Sequence, residues 1–337
     1  MHGFGFKYNR YCLFQEPDIL NYYNLHKEEY PLKEIYNRFL EIIKNTFKNS
    51  DLSSHFVPLM HHSRLAGLMH IPEIKQGLQY FISNAPENMI HSVHYPFNPA
   101  HRLVGDRFKS DFIKYLPYYE KWGIHSIVVH PSKGSYNTIA EIAEVFNDEK
   151  LLKRFAETKM IMAIENMNSK KDFFGDLNHL EEMRLAIIDQ LKAKGYGTLS
   201  NQIAFCFDTG HYLKYLMQIH DHIPSNELVL EPLKEIAPFI KVFHISTNTA
   251  QNDDHVFIRR KFYPLPHNKQ KKLKGIDEDQ QLLIEHSQIV MDWMKLCYDH
   301  RHPEWDLEFL HEVNDFITPE ALQRIGKWMI KEIMDKK

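Results

Sequence analysis

Residues 203–211 read IAFCFDTGH: a short apolar run from Ile203 to Phe207, then the carboxylate of Asp208 and, three residues on, the imidazole of His211. Runs of this length between longer amphipathic stretches read as buried parallel strands joined by helices. The same unit recurs along the chain. Strand-like runs fall at roughly Gly3–Tyr8, Phe56–Met60, His91–Tyr95, Ser126–His130, Met160–Asn166, Ile203–Asp208, Lys241–Ile245 and Leu307–Val313. Between them lie helical patterns such as FKSDFIKYLPYYEKW, TIAEIAEVFNDEKLLKRFAE and NHLEEMRLAIIDQLKAKG, and the chain closes on TPEALQRIGKWMIKEIMDKK, which opens with a Thr N-cap and Pro at the first helical position. Eight strand–helix alternations are the number a closed (β/α)8 barrel requires, so the expectation is a single TIM-barrel domain over residues 1–337. A doubly wound open sheet is the alternative, but no glycine-rich phosphate loop follows an early strand.

The strand ends carry the chemistry. The third run offers His94, the fourth His130, the fifth Glu165, the sixth Asp208 and His211, the seventh His244 and the eighth Glu312, while a loop after the seventh adds Asp253 and His255 as Asp-x-His. In a barrel the C-terminal strand ends surround one mouth. A lone histidine at a strand end is usually a hydrogen-bonded structural residue. Six successive strands ending in imidazoles or carboxylates, the ligands of zinc or manganese, point instead to a shared metal site. Glu308 shares the Glu312 face, because side chains alternate along a strand, but lies toward the barrel floor, where a salt-bridged structural role is expected. His91 and His125 likewise precede their strand ends and are left out of the site.

Composition sets the outer bounds. The chain has 337 residues, 43% hydrophobic and 25% charged, which supports a substantial core. It has no long apolar span and no signal-peptide pattern at its start, so no membrane partner is expected. Three scattered cysteines, Cys12, Cys206 and Cys297, make neither a disulfide framework nor a CxxC zinc site, which fits a reducing cytoplasm. A formal charge of −3 singles out no partner. Histidine is abundant at 22 residues, so position must separate ligands from residues such as His26, His55 and His286, expected to be exposed or locally hydrogen-bonded.

Several short patterns resemble a known family. His-x-Pro-Phe at His94, His-Pro-x at His130, Ile-Glu-Asn at Glu165, Asp-Thr-x-His at Asp208 and His211, and His-Ile-Ser at His244 are similar to those of the xylose isomerase-like TIM barrels and, within them, the endonuclease IV group. With Asp253, His255 and Glu312 they fill nine ligand positions. The resemblance implies a zinc-dependent phosphodiester hydrolase with two or three Zn2+ ions, acting at abasic sites in DNA by metal-activated water. It implies that His94, His130 and Glu165 hold one ion, that Glu165 bridges to a second, and that the other six residues supply the remaining ligands. Sugar isomerases and epimerases of the superfamily need only the quartet matching Glu165, Asp208, His244 and Glu312 around one Mn2+ or Mg2+, with Glu165 and Glu312 as catalytic bases. Where the nuclease group carries Leu-Gly-Glu-Gly after Asp-x-His, this chain reads VFIRR.

Two functions from the enzyme class therefore stand beside a third, a metal-retaining barrel that only binds. Three divalent ions would bring about +6 against about −4 from Glu165, Asp208, Asp253 and Glu312, leaving a mouth suited to a phosphodiester anion. The segment Arg259–Lys274 holds seven Lys/Arg residues and either tracks a nucleic-acid backbone or is a solvated basic loop. Tyr95 and Phe97 either stack on a base or sugar or pack at the rim. The partner is DNA on the first reading and a small sugar on the second.

Overall fold

Eight strands pair side by side in chain order, all parallel, and the last pairs with the first to close a barrel. They are β1 (Arg10–Gln15), β2 (Val57–Ser63), β3 (Ile90–His94), β4 (Ser126–Val129), β5 (Ile161–Glu165), β6 (Ile203–Asp208), β7 (Ile240–Ile245) and β8 (Glu308–His311). This computed structural model describes residues 10–15, 28–31, 34, 37–38, 41, 57–63, 90–95, 99–121, 123–132, 136–224, 227–249, 256, 258, 276–303, 307–311, 328–329 and 332–333. Among them the helices are α1 (Phe108–Lys121), α2 (Tyr136–Val145), α3 (Glu149–Ala156), α4 (Leu177–Ala193), α5 (Thr209–His220), α6 (Glu227–Ile236) and α7 (Ile276–His300). None is long and apolar enough to cross a membrane.

Strand alternation divides the core in two. Val93, Ile127, Val129, Met162, Ile164, Phe205, Phe207, Phe243, Ile245 and Phe309 point outward into one large cluster with the helices. Their neighbours of opposite parity, Val128, Ala163, Cys206, Val242 and Leu310, form a separate small cluster inside the barrel. Period-two alternation in a strand buried on both faces has this result. The helices meet the outer cluster on one stripe. In α1, Phe108, Phe112, Leu116 and Tyr119 are buried at helical spacing. Each fully buried Phe contributes roughly 1.5–3 kcal/mol of apolar burial.

The inner layer locates the site. Two residues beyond Val128, Ala163, Cys206 and Val242 come His130, Glu165, Asp208 and His244, so the same inward parity carries these side chains to the C-terminal mouth. Two residues before Val128 and Leu310 come Ser126 and Glu308 at the floor, where the Ser126 hydroxyl donates to Glu308 Oε1 at 2.6 Å and Lys241 Nζ lies 4.0 Å away. Glu308 is thus the buried structural residue expected.

Two elements differ from the sequence reading. β1 is Arg10–Gln15, later than the expected Gly3–Tyr8, which lies outside the described residues. The apolar run Tyr11 to Phe14 pairs with β2 throughout, with a register shift after Cys12, and its first part pairs with β8. The stretch TIAEIAEVFNDEKLLKRFAE is two helices, α2 and α3, because Asp148 adopts extended backbone and caps the second by accepting from the Leu151 N–H at 3.0 Å. The Thr N-cap of the last helix lies outside the described residues, which include only Trp328, Met329, Glu332 and Ile333 of that stretch, all helical.

Replacing Asp148 by Ala should lower stability by about 1 kcal/mol, the usual loss for a capping side chain. A urea unfolding curve checks this, and an unchanged midpoint would contradict the role given to the cap.

Candidate metal centre

Glu165 is the last residue of β5 and is fully buried. Its two carboxylate oxygens face different partners. Oε2 lies 2.6 Å from His130 Nε2 and 3.1 Å from His94 Nε2, residues delivered by β4 and β3. Oε1 lies 2.9 Å from His244 Nδ1, on β7, and 3.7 Å from His211 Nδ1, on the first turn of α5. Asp208 Oδ2 closes this second side, 3.8 Å from His244 Nδ1 and 4.0 Å from His211 Nε2. His94–His130–Glu165 and Glu165–Asp208–His211 each bring three potential ligand atoms within 4.8 Å of one another. Donors on one tetrahedral zinc sit about 3.3 Å apart, given bonds of ~2.0–2.1 Å, so small rotamer shifts suffice for coordination.

Two backbone carbonyls, one local and one from a neighbouring strand end, fix the ring directions. His94 Nδ1 lies 2.7 Å from the Tyr95 carbonyl and His211 Nδ1 lies 2.9 Å from the Asn166 carbonyl. A carbonyl oxygen only accepts, so both Nδ1 atoms donate. In the neutral rings Nε2 then carries a lone pair, aimed at Glu165 Oε2 in one case and toward Asp208 Oδ2 in the other. Lone pairs and carboxylate oxygens repel unless a proton or cation lies among them. The backbone carbonyls thus do what partners behind metal-bound histidines do, setting tautomer and ring direction.

Charge follows the same logic. Burial opposes ionisation of Glu165, but the His244 and His130 imidazoles outweigh it and hold the carboxyl well below the usual carboxylate range. Burial also lowers His130, with Glu165 pulling the other way. The result is a buried carboxylate among nitrogen donors, and the residues present fit a divalent cation. Cys206 also lies near Glu165 and His244, and burial pushes its thiol up.

The structure therefore gathers six of the expected residues, His94, His130, Glu165, Asp208, His211 and His244. Asp253, His255 and Glu312 lie outside the described residues, as do Phe97 and the basic segment 259–274. Just after His255, Val256 pairs with Thr247 through reciprocal 2.7 Å backbone hydrogen bonds, so the chain returns there to the end of β7. Tyr95 is a packing residue: it is buried against Phe108 and Phe112, and its hydroxyl donates to the Phe108 carbonyl at 3.3 Å. His286 corrects the sequence reading. It is buried on α7 and donates from Nδ1 to the Asn248 carbonyl at 2.7 Å, across 38 residues, because α7 packs beneath the turn after β7.

Sequence reasoning missed the residues that hold the ligands. Thr209 Oγ1 donates to the Ser246 carbonyl at 2.7 Å and accepts from the Ser246 N–H at 3.1 Å. Asn248 Nδ2 donates to the Gly210 carbonyl at 2.8 Å, so the Thr-Gly step between Asp208 and His211 is bolted to the turn after His244. Gly210 admits this approach: a Cβ there would collide with Ser246 Oγ. Asp208 itself caps α5, with Oδ1 accepting from the His211 N–H at 2.8 Å. The Asp-Thr-x-His spacing was the available signal for this turn.

A closed parallel barrel with a carboxylate–imidazole cluster at its C-terminal mouth defines a class of metal-site TIM barrels. This chain belongs to the xylose isomerase-like TIM barrel family, whose model matches residues 74–293. Among solved structures, a D-tagatose 3-epimerase-like protein is similar over 86% of this chain and 97% of its own, at 15% identity and a TM-score of 0.53. A protein from Thermus thermophilus, soaked with zinc chloride, is 15% identical over 81% of this chain and 88% of its own, with a TM-score of 0.50. A xylose isomerase-like TIM barrel protein from Mycobacterium smegmatis, in complex with magnesium, is 11% identical over 97% of both chains, with a TM-score of 0.50. At such identities the likeness is one of fold. No curated protein matches the chain in sequence.

Thr209→Val keeps the shape of the side chain but leaves the buried Ser246 N–H without its acceptor. It should cost about 1–3 kcal/mol. Chemical denaturation measures the loss, and wild-type stability would show that this hydroxyl does not hold the turn.

Proposed function

We propose that this protein is a divalent-metal-dependent phosphodiester hydrolase whose substrate is DNA at abasic sites. The observation that carries the reading is the two-sided setting of Glu165, with His94 and His130 at one oxygen and His244 and His211 at the other. A site for one ion has no need of the first pair. One ion would be held by His94, His130 and Glu165, and another by Glu165, Asp208 and the histidines beside them. Asp253, His255 and Glu312 would complete the set, supported by the return of the chain to β7 at Val256. Imidazole and carboxylate donors suit zinc, and a relative of the same fold was soaked with zinc chloride.

Ions bound there would supply Lewis-acid polarisation of a phosphoryl oxygen and neutralise its developing charge. The chain's own residues do the rest. Glu165 holds the two halves of the site in register, the Tyr95 and Asn166 carbonyls orient His94 and His211, and the packed inner layer of Val128, Ala163, Cys206, Val242 and Leu310 supports the ligands from below.

A second reading is a sugar isomerase or epimerase with one Mn2+ or Mg2+, in which Glu165 and Glu312 act as bases. The nearness of Glu165, Asp208 and His244, all fully buried, favours it, since these are three of the four residues that such a site uses. A relative in fold is described as D-tagatose 3-epimerase-like, and another was solved with magnesium.

Metal content and turnover separate the two. The hydrolase reading expects two or three equivalents of metal by elemental mass spectrometry and cleavage of a duplex carrying an abasic site. Glu165→Gln should lose at least one ion. Asp253→Ala with His255→Ala should remove about one equivalent and cut cleavage by orders of magnitude, because stabilisation of transition-state charge goes with the ion. One ion per chain, no abasic-site cleavage and turnover of a ketose would replace this reading with the sugar one.

A further inference from the structure

The β5–β6 ladder ends with the register pair Glu165 and Cys206. Beyond it, the Asp208 backbone pairs with β7 on one side, while its β5 side has no strand left to meet. The side chain of Asn166, fully buried, takes that place. Its Nδ2 donates to the Asp208 carbonyl at 3.0 Å, and its Oδ1 accepts from the Asp208 N–H at 2.7 Å. A carboxamide has the same donor and acceptor as a peptide group, so it serves as one more rung of the ladder. The Asn166 carbonyl then accepts from His211 Nδ1 at 2.9 Å. One residue, joined in sequence to Glu165, therefore sets the position of Asp208 and the ring direction of His211. These bonds all run to the Oε1 side of Glu165. On the Oε2 side, His94 takes its direction from the Tyr95 carbonyl at the end of β3.

We infer that Asn166 is a positioning residue for one half of the metal centre, tuning the affinity of the Glu165–Asp208–His211 half separately from that of the His94–His130 half. This rests on the metal reading above and adds to it that the two halves are set by different backbone supports.

Calorimetric titration of metal-free protein with Zn2+ tests the inference, with far-UV circular dichroism to confirm the fold. Asn166→Ala should weaken one equivalent by about 10–100-fold and leave another within about threefold of wild type, the usual scale for residues behind metal ligands. His211→Ala should affect the same equivalent, and His94→Ala the other. Asn166→Leu, which keeps close to the volume and adds no charge but loses both the donor and the acceptor, should weaken the same equivalent and guards against misfolding of the Ala variant. A residue that only stabilises the fold would weaken both equivalents alike. That outcome, or no change in either, overturns the inference. Wild-type protein that takes up no Zn2+ would overturn the metal reading itself, and the inference with it.

Discussion

A buried carboxylate among imidazoles governs how the mouth of this barrel is built. Taking Glu165 out of water costs several kcal/mol unless its charge is met by partners of good geometry. Three histidines, His94, His130 and His244, supply that geometry from the ends of β3, β4 and β7, and His211 on α5 lies just beyond at 3.7 Å. No local fold could bring them to one point. A closed barrel does so because each inward-facing strand position lies one pleat above a packed inner layer, and the mouth is the next pleat up.

The supports around the cluster explain its order. Backbone carbonyls of Tyr95 and Asn166 hold two rings, the Thr209–Ser246 and Asn248–Gly210 bonds hold the turn that carries His211, and His286 ties that turn to α7. Each is a polar group buried with a partner, so each is costly to break singly. The polar shell therefore specifies one arrangement of ligands, while the outer apolar cluster supplies most of the stability. At the floor, Ser126, Lys241 and Glu308 form a second polar group in the half of the barrel where stability rather than chemistry is expected.

Much of this was readable from residue spacing. Inward parity along IAFCFD, IMAIE and IKVFHI, with a polar residue at the mouth end of each, identifies Asp208, Glu165 and His244 without coordinates. Glu308 shares the inward parity, and its earlier position along β8 is what separates it from the mouth. What spacing does not show is which partner holds a ligand from behind. Asn166 and Ser246 stand in the Ile-Glu-Asn and His-Ile-Ser patterns, but what they bond to emerges only when β5, β6 and β7 are set side by side. The buried His286 is likewise invisible in sequence, since its partner Asn248 is distant in the chain. The split between α2 and α3 was readable in principle from the Asn147-Asp148 step, but the apolar period runs through it and hides the cap. Alternation alone does not choose between Gly3–Tyr8, outside the described residues, and Arg10–Gln15, which pairing with β2 and β8 makes the first strand of the barrel.

On the proposed function, Glu165 offers its two oxygens to two different cations. Anomalous diffraction at the zinc absorption edge, from crystals grown with Zn2+, would locate them. Separate peaks are expected on the two sides of Glu165, one shared with His94 and His130 and one with Asp208. A single peak, coordinated by Asp208 and His244 with His94 and His130 left outside it, would mean that Glu165 serves one ion only.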